Sequence, residues 1–175
     1  MVGNAVVKTN EEAKKFDFTA IQSDDYNRLA NVKSGRFLLS THGLNSLYNL
    51  STFKEIRLSC FKTYHSRRVN IITVGDSVVQ WLLQRSSLTP KPHSCSSFIQ
   101  LPNDNSFIAD DCRRWSNGTW NNNVLYYFPI AAQHGRGRSY FFSLDYNFYT
   151  NHLFCDDWSN HPYFSNAGEW TFYVR

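Results

Sequence analysis

Apolar and polar positions alternate strictly along Glu169-Trp170-Thr171-Phe172-Tyr173-Val174-Arg175, with Trp170, Phe172 and Val174 on one face. That is the period of a half-buried strand. The same alternation over Glu55–Phe61 turns Ile56, Leu58 and Cys60 inward, and Val69–Val74 supplies a partner strand. Between them Tyr64-His65-Ser66-Arg67-Arg68 forms a turn, so this stretch predicts a β-hairpin with a basic tip. The period then changes to that of a helix. Val78, Val79, Leu82 and Leu83 share one face over Ser77–Gln84, with Asp76 or Ser77 as a cap. Leu44, Leu47 and Tyr48 predict a second short helix, and Ser23-Asp24-Asp25 can cap a brief third one through Asn31.

Further short strands are predicted over Phe98–Leu101, Ser106–Cys112, Val124–Ile130 and Tyr140–Phe148. Pro102-Asn103-Asp104-Asn105 is a turn between the first two, and Gln133–Arg138 is a basic turn. Residues 86–97 and 113–123 are polar loops. Residues 1–19 read as a polar arm, with at most a short exposed helix over Asn10–Lys15. The expected organisation is therefore an α+β fold: a strand-rich single domain over 20–175, with two to three short helices, preceded by the arm at 1–19.

Composition changes this picture in two ways. Aromatic residues make up 17% of the 175 and charged residues only 18%, so ring packing must carry much of the interior. The net charge of +4 is spread along the chain, unlike the concentrated stripe of a nucleic-acid binder. No apolar run is long enough for a membrane span.

The four cysteines, Cys60, Cys95, Cys112 and Cys155, contain no C-x-x-C pair, which removes zinc-finger and thioredoxin-type chemistry. Three disulfide connectivities are open. The expected one is Cys95–Cys112, closing a short loop, with Cys60–Cys155 tying an early strand to the closing segment. Two glycosylation sequons occur, at Asn49 and Asn117. With the even cysteine count they favour an oxidising, extracellular setting and a secreted glycoprotein. The first residues have no signal-peptide pattern, so Met1 reads as standing where a removed signal peptide would have been. The rival reading is a cytosolic protein with four free thiols.

Three blocks carry a family resemblance. They are Gly43-Leu44…Leu47 leading to Phe53…Ile56-Arg57…Cys60; Arg68-Val69-Asn70-Ile71…Thr73 leading to Val78-Val79; and Asp104-Asn105-Ser106…Cys112…Trp115 with Cys155-Asp156-Asp157…Trp170…Tyr173-Val174-Arg175. Over about residues 36–175 the chain resembles a domain of secreted cnidarian proteins, including coral skeletal organic matrix proteins, where the domain follows a short fibrinogen-like segment. The resemblance implies an extracellular, disulfide-bonded module of matrix or cell-surface proteins, and no catalytic residues. The fibrinogen-like part has no counterpart here.

Candidate chemistry is dispersed. Trp115, Trp120 and Trp158 lie in polar, Asn-rich loops, where an indole can stack on a sugar or pack over a core edge. Arg136 and Arg138, like Arg67 and Arg68, can pair with sulfate or carboxylate through parallel donors, or sit solvated on loop tips. Lectin-like binding of a glycan, matrix or mineral-associated partner through Trp115, Trp120, Arg136, Arg138 and Trp158 is the leading expectation. Asp156 and Asp157, with Asp110 and Asp111, offer hard oxygens for Ca²⁺; salt bridges to Arg113 and Arg114 are the plainer alternative. A hydrolase using His152 or His161 with Asp156 or Asp157 is a second class of function, although no hydrolase or phosphate-binding motif is present. An aromatic-lined pocket for an apolar or chromophoric ligand is a third.

Overall fold

The computed structural model describes residues 3–15, 22–31, 36–83, 93–114, 130–134, 138–143, 154–158 and 165–175. Strands β1 (Gly3–Val7), β2 (Gln22–Ser23), β3 (Phe37–Leu39), β4 (Ile56–Lys62), β5 (Arg67–Thr73), β6 (Phe98–Gln100) and β10 (Gly168–Val174) form one seven-stranded sheet in the order β2-β3-β1-β10-β4-β5-β6. Strands β7 (Ile130–His134), β8 (Arg138–Ser143) and β9 (Phe154–Trp158) form a second sheet, β7-β8-β9. Every pairing is antiparallel except β2 with β3. Among the described residues the α-helices are α1 (Asn10–Lys14), α2 (Thr41–Ser51), α3 (Asp76–Leu82), α4 (Ser94–Ser97) and α5 (Phe107–Asp110). The fold is α+β with two disulfides, Cys60–Cys155 and Cys95–Cys112, the connectivity expected from the sequence.

The core follows the alternation. Ile56, Leu58 and Cys60 of β4, Val69 and Ile71 of β5, and Trp170 and Phe172 of β10 are all buried together. Val78, Val79 and Trp81 of α3, with Leu83 just beyond it, pack into the same cluster, and Leu44, Leu47 and Tyr48 of α2 cover its margin. Each large side chain withdrawn from water in this way contributes about 1.5–3 kcal/mol. The two helices are also bonded to each other: Asn45 Nδ2 donates to the Leu83 carbonyl at 3.0 Å and the Tyr48 hydroxyl to Asp76 at 2.9 Å. Helix α2 is capped by Ser40, whose Oγ accepts the Gly43 N–H at 3.0 Å.

Four expectations are corrected. The polar arm is a strand where it was expected to be loose: residues 3–7 pair with β10 on one side and β3 on the other, and Val7 is buried in the core. Short length and an asparagine hid its apolar face. Ser106–Cys112, expected as a strand, holds the single-turn helix α5, capped by Ser106 Oγ accepting from Ala109 N–H at 3.1 Å. The supposed surface loop at 86–97 ends in α4, with Ser94 and Ser97 buried. Helix α3 is preceded by Gly75 and has no side-chain cap bond, so neither Asp76 nor Ser77 has the expected role. The two additional single-turn helices, α4 and α5, account for helices beyond the expected number; Cys95 in α4 is bridged to Cys112, just beyond α5.

Gly168 shows how tightly β10 lies against β4. A Cβ there would stand 2.8 Å from both Lys62 Cγ and the Phe61 carbonyl oxygen, and 3.0 Å from the Trp170 ring. Backbone on one side and buried side chains on the other leave little room to yield. Gly168→Ala is expected to lower stability by about 1–3 kcal/mol, read as a reduced urea midpoint at unchanged slope. A wild-type midpoint would show that the contact relaxes freely.

Candidate functional site

The inward positions of β4 run 56, 58, 60 and then 62, so the alternation that buries Cys60 also buries a lysine. The chain turns at 63–66, with Ser66 in the left-handed region (φ 56°) and its N–H bonded to the Lys62 carbonyl at 3.0 Å. His65 Nδ1 accepts the Arg67 N–H at 3.0 Å, which aims Nε2 across to the Cys155 carbonyl at 3.1 Å. The hairpin tip thus presents Lys62, Tyr64, His65 and Arg67 towards β9.

Strand β9 answers with two adjacent carboxylates. In a regular strand Asp156 and Asp157 would point to opposite faces. Here Phe141 pairs with Asp157 and Phe142 with Cys155, which leaves Asp156 as an extra residue in a β-bulge, at φ 58°. The bulge interrupts the alternation, and Phe154, Cys155, Asp156 and Asp157 are all buried. Both carboxylates therefore reach the same hairpin tip.

Asp157 Oδ2 accepts from Lys62 Nζ and from the Cys155 N–H, each at 2.6 Å. Its Oδ1 accepts the Tyr64 hydroxyl at 2.6 Å and lies 3.4 Å from His65 Nε2. Lys62 Nζ also donates to the Ser165 carbonyl at 2.5 Å and sits 5.8 Å from the centres of the Tyr64 and Trp170 rings. Both Lys62 and Asp157 side chains have 0% exposure. Asp156 accepts from Arg67 Nε at 2.5 Å and from the Phe107 and Ile108 N–H groups at 3.0 and 2.9 Å. The Arg67 guanidinium lies over the Phe107 ring, 4.9 Å from its centre.

Burial lowers the Lys62 ammonium to about 8, and the Asp157 charge and hydrogen bond only partly offset this. Burial by itself would raise Asp157, but the Lys62 charge and the bonds from His65, Lys62 and Tyr64 outweigh it and hold the group below the usual carboxylate range. Asp156 is raised by burial despite its backbone and Arg67 partners, and Tyr64 is raised by burial and then by Asp157.

One further cluster lies on the other face of the large sheet, where Arg57 and Arg68 are half-buried and Ser59 and Asn70 between them are buried. Arg57 stands over the Tyr173 ring at 5.4 Å and Arg68 over the Phe61 ring at 4.8 Å. Arg57 Nε also donates to Asn70 Oδ1 at 2.9 Å. Among the described residues neither guanidinium pairs with a carboxylate. Phe61 pairs with Arg68 and Arg57 with Ile72, so the two arginines are four ladder positions apart, about 13 Å along the strands.

Of the residues expected to bind a ligand from loops, Trp158 instead closes strand β9, partly buried against the core, and Arg138 opens β8 opposite His134, because the pairing of β9 and β7 with β8 draws these segments into the second sheet. Trp115, Trp120 and Arg136 lie outside the described residues, as do His152, His161 and Asn117. Asn49 is exposed near the end of α2. Asp156 and Asp157, singled out as Ca²⁺ ligands, hold Arg67 and Lys62; Arg113 instead pairs with Asp111 at 2.8 Å on the surface. Among the described residues no three His, Cys, Asp or Glu side chains are grouped as a metal site. Sequence reasoning missed Lys62, Tyr64 and His65 as partners of the acid pair. Extending the β4 alternation by one position would have found Lys62. No protein-family model, curated protein or solved structure matches the chain.

Removing one member of a buried ion pair strands the other. Arg67→Met, which strands the fully buried Asp156, is expected to cost about 3–5 kcal/mol in urea unfolding. Arg113→Met, which breaks an exposed pair, is expected to leave the midpoint unchanged. Equal effects of the two substitutions would refute the weight given to burial.

Proposed function

We propose that the chain is a secreted extracellular-matrix or recognition module that binds an anionic glycan, matrix or mineral-associated partner. The observation that carries this reading is the half-buried pair Arg57 and Arg68, held against aromatic rings and, among the described residues, not paired with carboxylates. A guanidinium so placed keeps planar donors for sulfate or carboxylate while the ring beneath restricts its motion. Spacing of about 13 Å suits an extended polyanion better than one small ion. Two disulfides support an oxidising compartment, and among the described residues no helix is long and apolar enough to cross a membrane. The resemblance to the secreted cnidarian matrix domain supports the same assignment. The hydrolase alternative needs a carboxylate that a substrate can reach, and Asp156 and Asp157 are buried.

On immobilised heparin the protein is expected to be retained and to elute with salt, with Arg57→Ala/Arg68→Ala eluting earlier. Retention identical in the double variant, or none in the wild type on any anionic glycan or mineral surface, would overturn the proposal. Asn49 is exposed and carries a sequon, so protein secreted from a eukaryotic host is expected to lose mass on enzymatic deglycosylation. Asn49→Gln should remove that portion, and an unchanged glycan mass would exclude the site.

A further inference from the structure

We propose that Lys62 and Asp157 become joined by an intramolecular isopeptide bond, formed by condensation of the Lys62 amine with the Asp157 side-chain carboxyl. The reacting groups are already in contact, with Nζ 2.6 Å from Oδ2, and both side chains are fully buried. Their approach is fixed by a covalent neighbour: Cys60–Cys155 links the residues two positions earlier on each strand. A nucleophile and an electrophile held in this way react as one molecule, which removes most of the entropic barrier to their encounter. The Tyr64 hydroxyl, 2.6 Å from Oδ1, is placed to polarise the carbonyl and to stabilise the oxygen as charge develops on it. The Trp170 ring beside Nζ, itself fully buried, helps exclude the water that would reverse the reaction.

The step balances without any added reagent. A proton crosses the hydrogen bond from Nζ to Oδ2, giving a neutral amine and a neutral carboxyl. The Nζ lone pair adds to Cγ, and Oδ1 carries the charge against Tyr64. A second proton passes from Nζ to Oδ2, the Cγ–Oδ2 bond breaks, water leaves and the amide remains. Burial disfavours both charges and so assists this transfer, lowering Lys62 to about 8, against the Lys62 charge and the hydrogen bonds that hold Asp157 ionised.

The inference is independent of the glycan reading and is tested on the intact, folded wild-type chain. Mass spectrometry should find the chain lighter by one water than its two-disulfide mass. A tryptic digest after reduction should contain a branched peptide joining the segments around 62 and 157, with no cleavage at Lys62. Lys62→Arg should restore the full mass. Wild-type protein of full mass, cleaved normally after Lys62, overturns the proposal.

Stability against pH gives a second readout. An unreacted pair has Lys62 near 8 in the native state and 10.5 unfolded, so between those values the unfolded chain binds more protons and stability rises with pH. Among the neighbours Tyr64, His65, Arg67 and Asp156, Tyr64 opposes that rise as pH approaches 10, where its unfolded form is half ionised, and it does so equally in wild type and Lys62→Arg. The joined pair has no ammonium to titrate, so wild type and Lys62→Arg should run parallel from pH 8 to 10. A rise confined to wild type is the mark of an unreacted pair and also overturns the proposal.

Discussion

The contact between Lys62 and Asp157 is the constraint on which the arrangement of the two sheets depends. Sheets are usually joined by apolar faces, with charge left at the rim. Here one strand, β9, is fastened to the end of the β4–β5 hairpin by Lys62–Asp157, Arg67–Asp156 and the Cys60–Cys155 bridge. The Trp170 indole N–H adds a bond to the Phe154 carbonyl at 3.1 Å. These ties span four of the five residues of β9, so the strand has little freedom to slide.

Burying two opposite charges is favourable only where the remaining donors and acceptors are satisfied. The site meets that condition through backbone groups as much as side chains: Ser165 and Cys155 serve the Lys62–Asp157 pair, and Phe107 and Ile108 serve Asp156. The bulge at Asp156 is what makes this possible, because it delivers neighbouring carboxylates to one side of the strand. Its left-handed backbone is uncommon for a residue with a side chain, but aspartate tolerates it better than most. A regular strand would bury one acid here and turn the other away.

The hairpin, the closing strand and the α3 helix were legible in the sequence because each carries its own apolar period. Ile56, Leu58 and Cys60, or Trp170 and Phe172, need no distant information to be placed inward. The disulfides were legible for a related reason, since few sensible pairings exist. The clamp was not. The bulge that aligns Asp156 with Asp157 belongs to the pairing of β9 with β8, and the donors come from residues about 90 positions earlier. The same holds for α5, whose first N–H groups are met by Asp156 and whose sequence has too few residues to show a period. Strand β1 was missed because its partners lie at opposite ends of the chain, and a five-residue polar-looking segment reveals little without them.

The position of β10 has a consequence for how the molecule is made. This strand fills the gap between β1 and β4, yet it is synthesised more than a hundred residues after both. Until it emerges from the ribosome, the long flank of the hairpin presents unpaired amides and carbonyls, an open template for any other extended chain. Closing the gap also means bringing together segments far apart in sequence, which slows the search. The nascent protein therefore spends its synthesis with an incomplete sheet, and shielding of that edge by a chaperone would matter most just before the last strand arrives.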